Sequence, residues 1–198
     1  MEIQRSLIQS IITVVTAGNK LGKDYTAANI ALNFFLAPWL FFHPSKFIEL
    51  EKRRGPEQPV WQVHTRRIVT TSVDGDQLRN LWGEIGRFVN LSKIPIAEEQ
   101  GGPLTVNMRD ISFSDERWGA GSSDPLNYLI GRVTGTGEGI SGAHAEYTLM
   151  VIDEASGAKN EIYSFAQGWA KKFLIFGNPN PTNNFFREMV KKGTVRAA

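Results

Sequence analysis

Apolar side chains recur at helical spacing in three parts of the chain and follow strand-like runs elsewhere. Near the start, Ile3, Leu7, Ile11 and Val14/Val15 fall three to four residues apart, while Ser6, Gln9, Ser10 and Thr13 break up the run. This predicts an amphipathic helix and no secretory signal, whose core would be continuously apolar. Residues 27–42, AANIALNFFLAPWLFF, form the most hydrophobic stretch. They predict a helix kinked or ended at Pro38, too short for the ~20 apolar residues that span a bilayer. Residues 43–54 predict a short helix opened by Pro44. The clearest pattern lies at residues 76–90, where Leu78, Leu81, Trp82, Ile85, Phe88 and Val89 share one helical face.

Alternation marks the rest. PVWQVHTRRIVTTSV, residues 59–73, reads as a strand with His64 on its polar side. After the loop at residues 92–103, LTVNMRDISF, NYLIGRVTG, AEYTLMVID and NEIYSFAQGWAKKFLIF predict four further strands separated by Gly, Ser, Asp and Asn. EASGAK, residues 154–159, predicts a hairpin connection between the last two. Thr182 is placed to cap a final helix carrying Phe185, Phe186, Met189 and Val190.

Helices first and strands later point to an α+β domain, with N-terminal helices packed on a curved antiparallel sheet. In element order, residues 1–175 resemble the cone-shaped domains of the nuclear transport factor 2 type, which implies a bent sheet and a pocket beneath the helices. The expected organisation is one domain over residues 1–198: a helical region 1–56, a strand, helix and meander over 57–176, and a terminal helix at 182–192.

Composition narrows the chemistry. The chain has 198 residues, is 41% hydrophobic and 21% charged, and has a formal charge of +2 from 22 basic and 20 acidic side chains. That suits a globular core and argues against a dedicated nucleic-acid binder, which would concentrate basic charge on one face. No cysteine and only three histidines leave no disulfide framework and no thiolate metal site, and a reducing, cytoplasmic-type compartment is expected.

Motifs for catalysis are sparse. The glycine-rich residues 131–142 have no lysine followed by Ser or Thr after the last glycine, and a strand follows them, so they read as a crossover between strands. GAGSSDP, residues 119–125, is not a nucleophile elbow, and Glu98-Glu99 has no further ligands at metal spacing. The remaining candidates are His144 and Glu146, which two-residue spacing puts on one strand face, with Asp110 and Arg132 on neighbouring strands. They form a catalytic pocket only if that face is concave; otherwise they are the wet side of a hairpin. No cofactor or metal is expected.

Three functions fit this reading. The preferred one is a noncatalytic binding or assembly domain, with Phe34, Phe35, Trp39 and Phe41 supplying an apolar surface for a protein partner or a second copy. The alternatives are a cofactor-independent lyase or isomerase, taking a small hydrophobic ligand in the cone, and a protein that meets a membrane surface through residues 27–42.

Overall fold

The computed structural model describes residues 2–18, 22–41, 65–114, 123–133, 142–178 and 183–192. The helix expected over 43–54, His64 and the glycine run at 134–141 lie outside them.

The sheet has seven strands: β1 (Ile12–Thr16), β2 (Arg66–Ser72), β3 (Leu104–Asn107), β4 (Asp110–Ser114), β5 (Ser123–Val133), β6 (Tyr147–Ile152) and β7 (Lys172–Gly177). Their order is β1-β7-β6-β2-β5-β4-β3. β1, β7, β6, β2 and β5 are all parallel, and only β4 and β3 at one edge are antiparallel. The expected antiparallel cone of the nuclear transport factor 2 type is therefore wrong. The helices are α1 (Glu2–Gln9), α2 (Lys23–Leu36), α3 (Gly75–Leu91), α4 (Asn160–Gln167) and α5 (Phe185–Lys192).

Two apolar cores explain why the central strands lack a wet side. Tyr147, Leu149 and Val151 of β6, with Leu174 and Phe176 of β7, face α1, α2 and α3. Met150 and Ile152, with Phe173 and Ile175, face α4 and α5. Both faces of these strands are covered, so every residue of β6 and β7 is buried.

Several expected elements change with this topology. Residues 160–176 are not one strand: α4 occupies the first half and carries the chain across the sheet to β7, as a parallel connection requires. EASGAK is accordingly not a hairpin turn but a 3-10 turn, Ala155–Gly157, leading into that crossover. The first helix stops at Gln9, and Ile12–Thr16 join the sheet beside β7. Of the residues expected to supply a partner surface within 27–42, Phe34, Phe35 and Phe41 are turned to the interior, and the Trp39 side chain lies outside what the structure describes. α2 ends before Pro38, and a 3-10 turn follows over Pro38–Phe41.

The helix expected over 76–90 is α3. Asp74 caps it by accepting from the Asp76 and Gln77 backbone N–H groups. Leu78, Leu81, Trp82, Ile85 and Val89 are buried. The Trp82 indole donates to Thr70 Oγ1 at 2.9 Å and packs against Gly131, where an added Cβ would meet the ring nitrogen at 2.2 Å. Trp82→Ala is expected to cost ~3–5 kcal/mol of stability through the cavity and the lost indole hydrogen bond to Thr70, whose hydroxyl keeps only its bond to the Ile130 carbonyl. A denaturant melt showing under ~0.5 kcal/mol would place Trp82 outside the core.

Candidate functional site

All five parallel strands end on the same side of the sheet, and ligands in open α/β sheets bind beyond such carboxyl ends. β1 ends at Thr16, the sequence continues as Ala17-Gly18-Asn19-Lys20-Leu21-Gly22, of which 19–21 lie outside the described residues, and α2 begins with Lys23-Asp24. A buried strand ending at Thr16 and a helix opened by Gly22-Lys23 match, in sequence spacing, the phosphate-binding pattern strand–GxxxxGK[ST]–helix. Here Ala17 stands at the first glycine position and Asp24 at the Ser/Thr position. Gly22 has φ of +71°, a left-handed conformation that favours glycine. Nothing lies within 4 Å of the place its Cβ would occupy.

Two strands away, β6 delivers Asp153 and Glu154 to the same edge. The run Leu149-Met150-Val151-Ile152-Asp153-Glu154 is four apolar residues followed by two carboxylates. Burial of the apolar part fixes where the acids emerge. The Asp153 backbone N–H donates to Thr71 O at 2.9 Å, and its side chain is only 2% exposed.

Lys23 joins the two motifs. Its Nζ lies 3.5 Å from Asp153 Oδ1 and forms an ion pair with Glu154. Asn178, just after β7, donates from Nδ2 to Glu154 Oε2 at 3.2 Å. The loop is also tied to β7 by Ala17 N–H donating to Gly177 O at 3.1 Å. Burial pushes the Asp153 carboxyl up to about 6, against the pull of Lys23, and the charges of Asp24 and Asp74 push the same way as burial. Asp24 is raised as well, chiefly by burial, with Lys23 opposing and Glu84 assisting.

The side chains suit a divalent cation. Asp153 and Asp24 offer hard oxygen donors, and Asp153 Oδ2 is buried without a hydrogen-bond partner among the described residues. No group of three or more ligating side chains is assembled among those residues, so phosphate and water oxygens would have to complete the shell.

The residues expected to form a pocket are not brought together. His144 is exposed, before β6, and Glu146 follows with its backbone N–H bonded to Thr65 Oγ1. Both sit at the amino end of the strand, separated from Asp153 by the length of β6, roughly 20 Å at ~3.3 Å per residue. β6 pairs in parallel with β2 and β7, not with residues 160–170 as a hairpin. Asp110 begins β4, where partial burial raises its carboxyl. Arg132 is exposed near the end of β5, its carbonyl accepting from Thr71 Oγ1.

No protein-family model matches the sequence, and neither does any curated protein. Among solved structures, the chain resembles the ATPase domain of the large terminase of Thermus phage P74-26. For a mutant form of that domain the TM-score is 0.55, with 15% identity over 94% of this chain and 67% of that one. The same domain in another structure gives 0.53 at the same identity and coverage. The HK97 bacteriophage large terminase aligns with a TM-score of 0.45 and 14% identity, over 85% of this chain and 29% of that one. The two P74-26 likenesses support the fold alone: a mostly parallel α/β sheet flanked by helices. That fold overturns the expected antiparallel cone and, with it, the binding-domain, cone-pocket and membrane readings built on it; the P74-26 neighbours that share the fold are ATPase domains.

Proposed function

We propose that the chain is an ATPase module of the motor type, binding and hydrolysing a nucleoside triphosphate at the carboxyl edge of β1 and β6. One observation carries this: Lys23, at the start of the helix after a buried strand, meets Asp153 and Glu154 at the end of a second buried strand. That is the set of groups phosphoryl transfer uses: a lysine for the phosphates, an aspartate for the metal and a further group to orient water.

The α2 backbone N–H groups and the positive end of its dipole favour the triphosphate. Lys23 exchanges its carboxylate partners for the β and γ phosphates. A divalent cation, when bound, neutralises charge on those phosphates and so favours attack at the γ phosphorus. Asp153 would hold that cation, directly or through water. Glu154, freed from Lys23, orients the attacking water and accepts its proton, and Asn178 fixes the rotamer of Glu154. A cleft of about 250 Å³ lined by Ile3, Gln4, Tyr25, Thr26, Asn29 and Ile30 adjoins the start of α2. Its apolar and amide groups suit a heterocyclic base.

The Lys23–Glu154 ion pair joins the proposed phosphate ligand to the proposed general base. Phosphate release from ATP tests the assignment. Glu154→Gln is expected to retain nucleotide binding and to lose hydrolysis by ~100-fold or more, as removal of a positioned base does. Full activity in that variant would sink the reading. Asn178→Ala should lower kcat ~10-fold with KM little changed, because a positioning contact is lost while the phosphate cradle remains. Parallel falls in affinity and kcat would instead make Asn178 part of the nucleotide cradle.

A second copy or a protein partner remains the expected company of such a module. The expectation of no nucleic acid does not hold for such a module, because a motor meets its track through a local surface that the net charge of one domain does not describe. No described helix is long and apolar enough to cross a membrane.

A further inference from the structure

The residue after Lys23 distinguishes this loop from the usual pattern. Where a Ser or Thr hydroxyl ordinarily meets the metal, Asp24 puts a carboxylate in the first turn of α2. Asp153 and Glu154 pair with Lys23, and Asp24 adds a third carboxylate beside it in sequence. Asp24 and Asp153 interact electrostatically with each other and with Lys23. Independently of that charge count, Asp153 is almost wholly buried, and its Oδ2 accepts no hydrogen bond among the described residues. A buried carboxylate oxygen left in this state calls for a cation or a cation-bound water.

We propose that Asp24 makes nucleotide entry conditional on a divalent cation, so that the site rejects free nucleoside triphosphate and accepts only the metal complex. A hydroxyl at this position is neutral towards an uncomplexed triphosphate, whereas a carboxylate in the same place repels it across a short, partly desolvated distance. With the metal present the sign reverses. The cation lies between Asp24 and the phosphates, and the carboxylate becomes a stronger ligand than the hydroxyl it replaces. Glu84, on α3, adds to the negative surroundings of Asp24, while Lys23 opposes them, and this excess of carboxylates favours a bound cation. The inference rests on the nucleotide reading above and concerns which form of the nucleotide is admitted.

Fluorescent ATP-analogue titrations of wild type, Asp24→Ser and Asp24→Asn, each in excess magnesium and in EDTA, test it. Thermal melts of each variant first establish that it is folded. The expected result is that wild type loses at least ~100-fold in affinity when the metal is removed, and that Asp24→Ser and Asp24→Asn lose ~10-fold or less, binding more tightly than wild type in EDTA as a charge removed beside a phosphate requires. Equal metal dependence in all three proteins overturns the role of Asp24 and leaves the nucleotide site standing. Failure of wild type to bind even with magnesium overturns the nucleotide reading itself, and this inference with it.

Discussion

Lys23→Ala is expected to lower affinity for a metal–nucleoside triphosphate by about 100-fold and to abolish hydrolysis. The side chain makes charge-assisted contacts to two phosphates in the proposed complex, and such contacts contribute ~1.5–3 kcal/mol each. In the nucleotide-free protein the same substitution leaves Asp153 and Glu154 without the cation that now sits between them. Asp153 should then take up a proton more readily still, because burial already raises its carboxyl to about 6. A stability loss in the absence of nucleotide is therefore expected alongside the loss of binding. Equilibrium titration with a fluorescent nucleotide measures the first, and melting curves measure the second. Unchanged affinity would remove Lys23 from the phosphate site.

Asp153→Asn should separate function from stability. Hydrolysis is expected to fall ~1,000-fold, since the substitution removes a metal-holding charge where transition-state charge is stabilised. Stability without nucleotide should not fall at pH 8. The carboxyl has a folded value of about 6 against an ordinary 3.8, so between those pH values the folded protein binds more protons than the unfolded chain. Stability from this group is thus fully present below the unfolded value and is lost as pH rises towards and through 6. An asparagine carries no such cost, and the variant's melting temperature should depend less on pH over that window. Nucleotide binding runs the other way: it needs the carboxylate, so wild-type affinity should decline ~10-fold per unit as pH drops below 6. A variant that hydrolyses ATP normally, or that melts far below wild type at pH 8, would contradict this.

The parts of the fold that are legible in the chain are those whose physics is local. α3 follows from one apolar stripe and an aspartate cap, and both are visible at residues 74–89. The parallel sheet is hidden because burial on both faces erases alternation. Tyr147-Thr148-Leu149-Met150-Val151-Ile152 is all interior, and a spacing argument built on His144 and Glu146 assigns it a wet face it lacks. α4 is masked by composition: Ile162, Tyr163 and Phe165 have strand preferences, although Ile162 and Ala166, four apart, both point into the core. Tertiary packing decides there, not propensity.

The candidate site is obscured by two substitutions. Ala17 and Asp24 replace the residues that open and close the phosphate-loop pattern, which leaves Gly22-Lys23 as its recognisable part. The second half was readable. Four apolar residues followed by Asp153-Glu154, downstream of a strand–Gly-Lys–helix segment, is a pair of signals each weak alone and informative together. Expecting an amphipathic helix through Val14 and Val15 conceals the first of them, because β1 begins at Ile12. The aromatic run at residues 34–41 misleads in the opposite direction: a concentration of exposed-looking Phe and Trp suggests a partner, while the structure buries Phe34, Phe35 and Phe41 beneath the sheet.

The most direct test of the central claim is a crystal structure of the chain with magnesium and a non-hydrolysable ATP analogue. The account predicts triphosphate density between residues 17–24 and Asp153, with Lys23 Nζ moved from Glu154 to within ~3 Å of a phosphate oxygen, the length of a charge-assisted bond. Nucleotide bound elsewhere, or Lys23 still paired with Glu154 beside a bound triphosphate, would contradict it.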